Sequence, residues 1–359
     1  MSELHAVVMA GGSGTRFWPA SRGSRPKQVL PLARGEPLIA ATIARLQGLC
    51  DPEHTWIVTN ERQLPALRTA VPGFPVDRLL VEPEARDTAP AIGLATAAIA
   101  SVDPAATMVV MPADHVIEPA AELQRMIRRA AALAADDESL VTFGVRPTFA
   151  ATGFGYLEPG DAADDDAPAA FRVRRFREKP DAATAAQFVD GGMLWNSGIF
   201  VWTCRGVRAA MAASCPELAV ATDAMIAAIK APAELAAAFR SAPRTSFDYA
   251  VMERAPGVLV VESTVRWNDV GSFTALADIG RDLGDGNRAL LVTGADQIAL
   301  ESTDNLTFAD GPRTVCLFGV EGLVVVAVDD AVMICPRSRA DDLKRLVEQV
   351  QARGRTDLL

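Results

Sequence analysis

HAVVMAGGSGTR, residues 5–16, joins an apolar run to a glycine-rich turn. The run at 5–10 predicts a buried β-strand, and Gly11, Gly12 and Gly14 follow at the point where that strand ends. The backbone N–H groups of such a turn can bind phosphate. The spacing is neither GxGxxG nor GxxxxGKS/T, which argues against a dinucleotide-binding fold and against a P-loop NTPase. A tight turn without a ligand is the alternative interpretation.

Short apolar runs alternate with Ala-rich helical patterns over the first two-thirds of the chain. This alternation is typical of βαβ units, so it predicts an α/β fold with a Rossmann-like, mainly parallel sheet flanked by helices. The predicted strands are 5–10, 55–60, 78–82, 107–111, 140–145, 199–203 and 258–262, and the predicted helices include 37–49, 88–101 and 122–135. The acidic segment 161–170 reads as a solvated loop.

The pattern changes near residue 287. Short β-type runs then follow one another without an intervening helix, at 291–292, 315–318, 323–328 and 332–334, before an amphipathic helix at 340–351. We therefore expect two domains, 1–284 and a small β-rich domain at 285–359. No convincing internal repeat is evident in the sequence.

Composition limits the possible partners. The 359 residues carry a net charge of −10, and this negative field disfavours nucleic acid or an anionic membrane as the main partner. The start of the chain lacks a signal-peptide pattern and no long apolar stretch follows, so a soluble, cytoplasmic protein is expected. The five cysteines are widely spaced and are expected to be reduced. With 3 histidines, neither a histidine-rich zinc site nor a Ser-His-Asp relay is expected.

A basic cluster lies next to the glycine turn. Arg16, Arg22, Arg25 and Lys27 fall within 12 positions of one another in a chain that is otherwise acidic. Arginine and lysine can both neutralise a polyphosphate, so the cluster fits the predicted phosphate-binding turn. A solvated basic surface is the alternative.

Eight segments resemble, in order and spacing, the motifs of the sugar-nucleotide pyrophosphorylases in the form found in mannose-1-phosphate guanylyltransferases. They are GGSGTRFWPASRGSRPKQVLPL at 11–32, Glu82-Pro83 with RDTAPAI at 86–92, PADH at 112–115, FGVRPTFAATGFGYL at 143–157, EKP at 178–180, WNSG at 195–198, FDYAVME at 247–253 and WNDVGSF at 267–273. The resemblance covers about residues 5–335 and implies a nucleotidyltransferase-type sheet followed by a short β-helix. A homodimer is the expected assembly, although the sequence leaves the oligomeric state open.

The resemblance also implies roles for individual residues. Arg16 and Lys27 are the expected catalytic residues, at the triphosphate, and Asp114 and Asp269 are the expected Mg²⁺ ligands. The expected nucleotide-binding residues are Gly11, Gly12, Ser13, Gly14, Thr15, Glu82, Arg86, Asp87 and Thr88, and the expected sugar-phosphate-binding residues are Gly153, Glu178, Lys179 and Asn196. Asp114 also follows a predicted strand, at the sheet edge where α/β folds bind ligands, although a turn or N-cap aspartate would look the same.

The implied reaction joins GTP to mannose 1-phosphate, giving GDP-mannose and pyrophosphate. A sugar phosphate is mostly a dianion at neutral pH, so it can attack the α-phosphate without a general base. The sequence departs from the family pattern at Asp87, Asn268 and Phe273, where Asn, Ser and Trp are usual. Another sugar-1-phosphate nucleotidyltransferase, acting on glucose 1-phosphate with dTTP or UTP, is the first alternative. A non-catalytic, nucleotide-sugar-sensing paralogue is the second.

Overall fold

A large sheet forms the centre of the computed structural model, which describes residues 3–12, 14–136 and 138–359. The first eleven strands are β1 (Leu4–Met9), β2 (Thr55–Asn60), β3 (Leu79–Glu82), β4 (Thr107–Pro112), β5 (Val116–Glu118), β6 (Leu140–Val145), β7 (Tyr156–Ala162), β8 (Ala170–Arg177), β9 (Leu194–Thr203), β10 (Val258–Glu262) and β11 (Arg266–Asn268). Nine of these strands form the large sheet, and β5 pairs with β11 in a separate two-stranded ribbon. All seven of the strands predicted for this part of the chain are present.

The large sheet is mixed rather than mainly parallel. Its order is β3-β2-β1-β4-β9-β6-β10-β8-β7, and β3, β2, β1 and β4 pair in parallel as expected. However, β9 lies antiparallel between β4 and β6, and β7 and β8 form an antiparallel pair at the far end. An antiparallel pair needs no crossover helix, so β7 and β8 do not give the alternating βα pattern. Both strands are only partly buried, so neither has the continuous apolar run on which the sequence prediction depended.

Helices cover both faces of the sheet. The helices of this part of the chain are α1 (Leu38–Leu46), α2 (Leu64–Ala70), α3 (Thr88–Ala100), α4 (Ala120–Leu133), α5 (Ala182–Asp190), α6 (Cys204–Ser214), α7 (Pro216–Ala228) and α8 (Pro232–Ser241), whereas α9 (Leu276–Ile279) and α10 (Leu343–Ala352) pack in the core of the C-terminal region. Side chains of β1 alternate between the two faces: Val7 packs with α3, α6 and α7, whereas Ala6 and Val8 pack with α1, α2 and α4. In the described part of the chain, no helix combines the length and apolarity that a membrane span requires.

The C-terminal region is a short parallel β-coil. Its strands are β12 (Arg281–Asp282), β13 (Arg288–Val292), β14 (Asp296–Leu300), β15 (Leu306–Asp310), β16 (Thr314–Phe318), β17 (Leu323–Val328) and β18 (Ala331–Pro336). β13, β15 and β17 pair in parallel on one face, and β14 and β16 pair in parallel on the other. The expected β-rich C-terminal region is therefore present, and it has the two-faced geometry of a β-helix.

This coil has a structural repeat that the sequence did not reveal. The backbone N–H of Asn305 donates to Asn287 Oδ1 at 3.1 Å, and that of Leu323 donates to Asn305 Oδ1 at 3.0 Å, each bond spanning 18 residues. The repeat escapes notice because the third turn carries Leu323 where the first two carry asparagine. Two such positions are too few to define a period.

One apolar core joins the coil to the N-terminal segment. Phe17, Trp18 and Leu30 are buried in the same cluster as Phe273 of the WNDVGSF segment and Phe308 of β15. The Phe17 and Phe273 ring centroids are 4.7 Å apart, and those of Phe273 and Phe308 are 6.1 Å apart. The C-terminal region therefore packs directly beneath two of the segments that were expected to form the site.

Candidate active site

The glycine turn follows β1 at the carboxyl edge of the sheet. Gly12 and Gly14 have φ of +100° and +58°, values that L side chains rarely adopt. The Gly12 carbonyl accepts a 2.6 Å hydrogen bond from Gln63 Nε2, so the turn is held by the segment after β2. A Cβ built on Gly14 would lie 2.7 Å from Cβ of Lys27, so the turn packs closely against that lysine. Ser13, predicted to bind nucleotide, lies outside the described residues.

The four residues of the basic cluster have different surroundings: Arg22 and Arg25 contact the C-terminal region, whereas Arg16 and Lys27 do not share these contacts. Arg22 binds the Asp330 carboxylate through both terminal nitrogens, and Arg25 binds Asp310. Both aspartates belong to the C-terminal region, so these two arginines are engaged away from the glycine turn. Arg16 is exposed, and its positive charge favours the ionised form of Asp269.

Lys27 connects two strand ends of the site. Its ammonium donates to Asp114 Oδ2 at 2.8 Å and to the backbone carbonyl of Asp269 at 2.7 Å. Asp114 follows β4 and Asp269 follows β11, so Lys27 contacts two residues that are 155 positions apart in the sequence. The Lys27 side chain is 9% exposed, whereas that of Asp114 is 34% exposed. Asp114 therefore remains accessible to a ligand from the open side.

The two carboxylates influence each other electrostatically. Burial alone would raise the pKa of Asp114, but Lys27 and His115 outweigh that effect and hold this pKa below its ordinary value. Burial and the charge of Asp114 raise the pKa of Asp269. A cation between the two would relieve their repulsion. The donor set consists of hard carboxylate oxygens, which are the ligands that Mg²⁺ prefers, so these residues fit a divalent ion.

His115 is better explained as a packing residue than as a ligand. Its Nδ1 accepts a 3.2 Å hydrogen bond from Trp267 Nε1, and burial lowers its pKa to about 4. Trp267 in turn contacts Phe154 and Trp195, with ring centroids 5.3 and 6.4 Å away. These aromatic contacts connect His115, next to Asp114, with Trp195, next to Asn196.

The expected nucleotide side lies at the ends of β1 and β3. A Cβ built on Gly11 would lie 3.5 Å from Glu82 Oε2, so this carboxylate is in van der Waals reach of the glycine turn. Burial, reinforced by the charge of Asp87, raises the pKa of Glu82 to about 7. Arg86 pairs with Glu84 at 2.5 Å at the rim. The structure describes the backbone of Thr15, at the start of a short 3-10 helix, but not its side chain.

Asp87, the departure from the family pattern, caps helix α3. Its carboxylate accepts a 2.8 Å hydrogen bond from the Thr88 N–H. Its negative charge also interacts favourably with the positive end of the helix dipole. Its φ of +70° is strained for a residue with a side chain. The Thr88 hydroxyl accepts a 2.9 Å hydrogen bond from the Phe247 N–H, which ties the nucleotide side to the FDYAVME segment.

The expected sugar-phosphate residues form a second group. Lys179 Nζ lies 2.5 Å from Glu178 Oε1, and Glu178 is buried while Lys179 is exposed. A Cβ built on Gly155 would come within 2.5 Å of Glu178 Oε2 and 3.3 Å of Asn196 Cβ, so glycine is needed there. A Cβ built on Gly153 would meet nothing within 4 Å, so that position faces open space.

Two acidic residues that were assigned no role in the sequence complete this group. Asp248 Oδ1 accepts a 3.0 Å hydrogen bond from Asn196 Nδ2, and Glu253 Oε1 accepts a 2.7 Å bond from the Glu178 N–H. Burial and the charge of Glu178 raise the pKa of Asp248 to about 7. Both residues lie in FDYAVME, a segment that was recognised as a motif, so its paired acidic residues were the available signal.

Both groups lie at one edge of the sheet. A Cβ built on Gly198 of the WNSG segment would lie 3.7 Å from Cγ of Pro112, at the end of β4. Because β9 runs antiparallel to β4, its first residues lie beside the last residues of β4. The edge therefore presents the Lys27 ammonium, a pair of carboxylates and a polar pocket in series. This arrangement suits transfer between two phosphorylated substrates.

Comparisons with known proteins define the class. A family model described as "Nucleotidyl transferase" matches residues 5–286, and one described as "MannoseP isomerase/GMP-like beta-helix domain" matches residues 295–350. The chain belongs to the nucleotidyl transferase family and is a transferase of that class, as predicted. Members of this family generally use a divalent metal ion.

The relatives are more specific. The chain is 36% identical over 374 residues to the mannose-1-phosphate guanylyltransferase of Escherichia coli K12, and 36% identical over 364 residues to the xanthan biosynthesis protein XanB of Xanthomonas campestris pv. campestris. Each match covers 99% of this chain and 75% of the relative. A crystal structure from Thermus thermophilus, described as a mannose-1-phosphate geranyltransferase, aligns with a TM-score of 0.87 at 32% identity, covering 97% of this chain and 99% of that one.

Proposed function

We propose that this protein transfers a guanylyl group from GTP to mannose 1-phosphate, giving GDP-mannose and pyrophosphate. The observation that carries the proposal is the contact of Lys27 with both Asp114 and the Asp269 carbonyl, beside the Glu178, Lys179 and Asn196 pocket. Relatives about 36% identical over nearly the whole chain, one of them named a mannose-1-phosphate guanylyltransferase, support the choice of substrates.

The proposed step is a single displacement at phosphorus. An oxygen of the mannose 1-phosphate dianion attacks the α-phosphorus of GTP in line, a new P–O bond forms, and the bond to the β-phosphate oxygen breaks. Pyrophosphate leaves with the electron pair of that bond. Lys27 and Arg16 stabilise the negative charge on the leaving group, and Lys179 orients the attacking phosphate. Glu178 and Asn196 bind the sugar hydroxyls.

Asp114 and Asp269 are the proposed ligands of one Mg²⁺ ion. Their oxygens are hard donors, and the charge of Asp114 already raises the pKa of Asp269, so a cation between them is favoured. The ion would supply positive charge for phosphate oxygens. In the structure Lys27 provides the positive charge next to Asp114. Removing Mg²⁺ with a chelator should abolish turnover without unfolding the protein, which circular dichroism would verify.

Guanine selectivity is assigned to the corner formed by the Gly11–Gly14 turn, Glu82 and the start of α3. Glu82 is buried and aimed at the turn, so its carboxyl group can read a base edge by hydrogen bonding. The test is pyrophosphate release over a grid of nucleoside triphosphates and sugar 1-phosphates. GTP with mannose 1-phosphate should give the highest kcat/KM. A different best pair by about tenfold, or 1.4 kcal/mol, would overturn the substrate assignment and leave the class intact.

A non-catalytic sensing role is the second candidate. Loss of Lys27, Asp114 or Asp269 would favour it, but the chain retains all three. Lys27 contacts Asp114 and the Asp269 carbonyl, and the charge of Asp114 raises the pKa of Asp269. Binding of GTP without pyrophosphate release from any pair in the grid would establish it.

The proposed assembly is a homodimer in the cytoplasm, where GTP is available. Support for the dimer comes from the exposed apolar side chains of β14, β16 and β18 in the C-terminal coil, Ile298, Leu300, Phe318, Val332 and Ile334. An exposed apolar surface of this kind is typical of a protein interface. Analytical ultracentrifugation should give twice the monomer mass of 38.0 kDa, and Phe318→Glu should give a monomer. A wild-type monomer at micromolar concentration would refute the dimer.

A further inference from the structure

Within the described residues, Arg22, Arg25 and Trp18 attach the segment that carries Lys27 to the C-terminal region through long-range polar contacts. Arg22 Nη1 donates to Asp330 Oδ2 at 2.6 Å, and its second terminal nitrogen binds the other oxygen of the same carboxylate. Arg25 binds Asp310 at the end of β15. Trp18 Nε1 donates to the Leu358 carbonyl at 2.8 Å.

These contacts differ from ordinary surface ion pairs. The Arg22 side chain is 14% exposed and that of Asp310 is 12% exposed, so each pair has one largely buried member. The bidentate geometry of Arg22 with Asp330 also fixes orientation, which a single contact would not. Both Trp18 and Leu358 are buried. The three contacts therefore hold the segment in one position rather than merely attracting it to the surface.

The attachment points are close to Lys27 in sequence and in space. Arg22 and Arg25 exchange backbone hydrogen bonds of 2.8 and 3.0 Å, and only Pro26 separates Arg25 from Lys27. Leu30 N–H donates to the Lys27 carbonyl at 2.9 Å, which closes the next turn. A shift of this short, tightly bonded segment would therefore move the Lys27 ammonium off Asp114 and the Asp269 carbonyl.

The WNDVGSF segment, which carries Asp269, packs against the same C-terminal coil. Val270 and Phe273, on either side of Gly271 in the WNDVGSF segment, are fully buried in the core shared with Leu306 and Phe308 of the coil. Val270 has a φ of +46°, which is strained for a β-branched residue and persists only where the surroundings hold it.

We propose that Arg22, Arg25 and Trp18 are positioning residues, and that through them the C-terminal coil sets the position of Lys27 in the catalytic site. The two arginines thus do not bind the nucleotide phosphates, although they lie in the basic cluster. Their charges are already neutralised by Asp330 and Asp310. This inference rests on the proposed role of Lys27 in the reaction.

The test neutralises Asp310 and Asp330, the partners in the coil, which are not among the proposed substrate-binding residues. The variant is the double substitution Asp310→Asn with Asp330→Asn, which keeps side-chain size and removes both ion pairs. Its matched control is Asp304→Asn with Asp329→Asn, which removes two ion pairs within the coil, to Arg337 and Arg313. Pyrophosphate release with the wild type's best substrate pair and hydrogen–deuterium exchange of residues 14–30 are measured for both.

The first double variant should lower kcat by about tenfold or more, because small misplacements of a catalytic group have effects of this size. Exchange in residues 14–30 should accelerate while β2 is unchanged. The control should stay within about twofold of wild type in both measurements. The swap Arg25→Asp with Asp310→Arg should recover part of the activity lost by Arg25→Asp alone.

Equal effects of the two double variants, or wild-type kcat and exchange in the first, would overturn the proposal. If the first double variant does not fold, Asp330→Asn alone serves, since that side chain is half-exposed. If the wild type releases no pyrophosphate with any pair, the proposed function fails. Hydrogen–deuterium exchange of residues 14–30 in the two double variants would then still show whether the coil fixes the position of this segment.

Discussion

Lys27 holds a buried ammonium between two chain segments that the sequence separates widely. Its three N–H donors can serve Asp114 and the Asp269 carbonyl and still leave one for a phosphate oxygen. A compact ammonium can do this in a narrow space, whereas a planar guanidinium cannot. The residue thus ties the Asp114 carboxylate to the backbone of Asp269.

The first prediction concerns those carboxylates. Asp114→Asn and Asp269→Asn each keep shape but remove a charge, so each should lower kcat by about 10²–10³, the usual cost of losing one electrostatic contact in an active site. If both residues serve one ion, the losses should be strongly non-additive in the double variant. Single-turnover rates against Mg²⁺ concentration measure this. Additive losses, or a near-normal rate in either single variant, would show that they do not share a site.

The second prediction concerns Lys179. Its ammonium pairs with Glu178 but is exposed, so it can turn toward a sugar phosphate. Lys179→Ala should raise KM for mannose 1-phosphate at least about tenfold more than KM for GTP, since one charge-assisted contact is lost on one substrate only. Lys230→Ala, which lies just after α7, is the control and should change neither constant. Equal increases for both substrates would mean that the Glu178–Lys179 pair is structural.

The third prediction is a pH effect at Asp248. Its pKa is raised from 3.8 to about 7, so between these values the folded protein keeps a proton that the unfolded chain has lost. The stability linked to this group is therefore fully present below about pH 4 and is lost as pH rises through 7. Asp248→Asn should consequently raise the melting temperature more at pH 8 than at pH 5, by about 2 °C or more.

Asp165→Asn, on the exposed loop between β7 and β8, is the control for this effect and should show no such difference between the two pH values. A gain for Asp248→Asn that is equal at pH 5 and pH 8 would contradict the raised pKa.

At the scale of elements, the glycine turn is built around a close approach of two backbones. Gly14 combines a φ of +58° with the Lys27 side chain where its own Cβ would be. Gly48, after α1, has a φ of +79° and open space around it, so it has the backbone constraint without the contact. Substituting each glycine in turn therefore distinguishes the effect of backbone strain from the effect of displacing Lys27.

Gly14→Ala should therefore lower both the melting temperature and kcat/KM more than Gly48→Ala does. Both substitutions introduce strain at a positive φ, but only the Gly14→Ala methyl group would clash with Lys27. A loss of at least about tenfold in kcat/KM is therefore expected for Gly14→Ala alone. Thermal unfolding and pyrophosphate release measure the two effects. Equal activity in the two variants would show that Lys27 does not depend on this turn.

The elements also show how far sequence reasoning reached. Strongly buried strands such as β2 and β10 were predicted with their observed bounds, because four or more consecutive residues in each are buried. The pair β7 and β8 was missed because its exposed arginines and acidic residues break the apolar pattern. Lys27, Asp114 and Asp269 could be grouped only through the family resemblance, since no local pattern indicates that positions 27 and 269 meet. Their roles remain predictions.

Arg22 and Arg25 show where that reasoning fails. Charge clustering in the sequence suggested that this segment neutralises a polyphosphate, but it could not show that Asp310 and Asp330 approach from a distant part of the chain. Partners 308 and 285 positions away carry no local signal. Asp248 was overlooked for a different reason, since its motif was recognised but its pairing with Asn196 depends on the antiparallel placement of β9.

At the scale of the whole molecule, the C-terminal coil is part of the structure that supports the site. The core around Phe17, Phe273 and Phe308 runs without a break from the glycine segment through WNDVGSF into β15. The proposed boundary at 284–285 falls just after β12, which already pairs with β13 of the coil, and the two regions should unfold together. A single calorimetric transition is expected, because the shared core is lost as one unit. Two separated transitions would contradict it.

The central claim is that the two substrates meet on this one surface and react directly. The most direct measurement is a rapid-quench time course with GTP labelled at the α-phosphate, with and without mannose 1-phosphate. Pyrophosphate and labelled GDP-mannose should appear together, one for one, and neither should form when the sugar phosphate is omitted. A burst of pyrophosphate equal to the enzyme concentration without mannose 1-phosphate, with label left on the protein, would contradict direct attack.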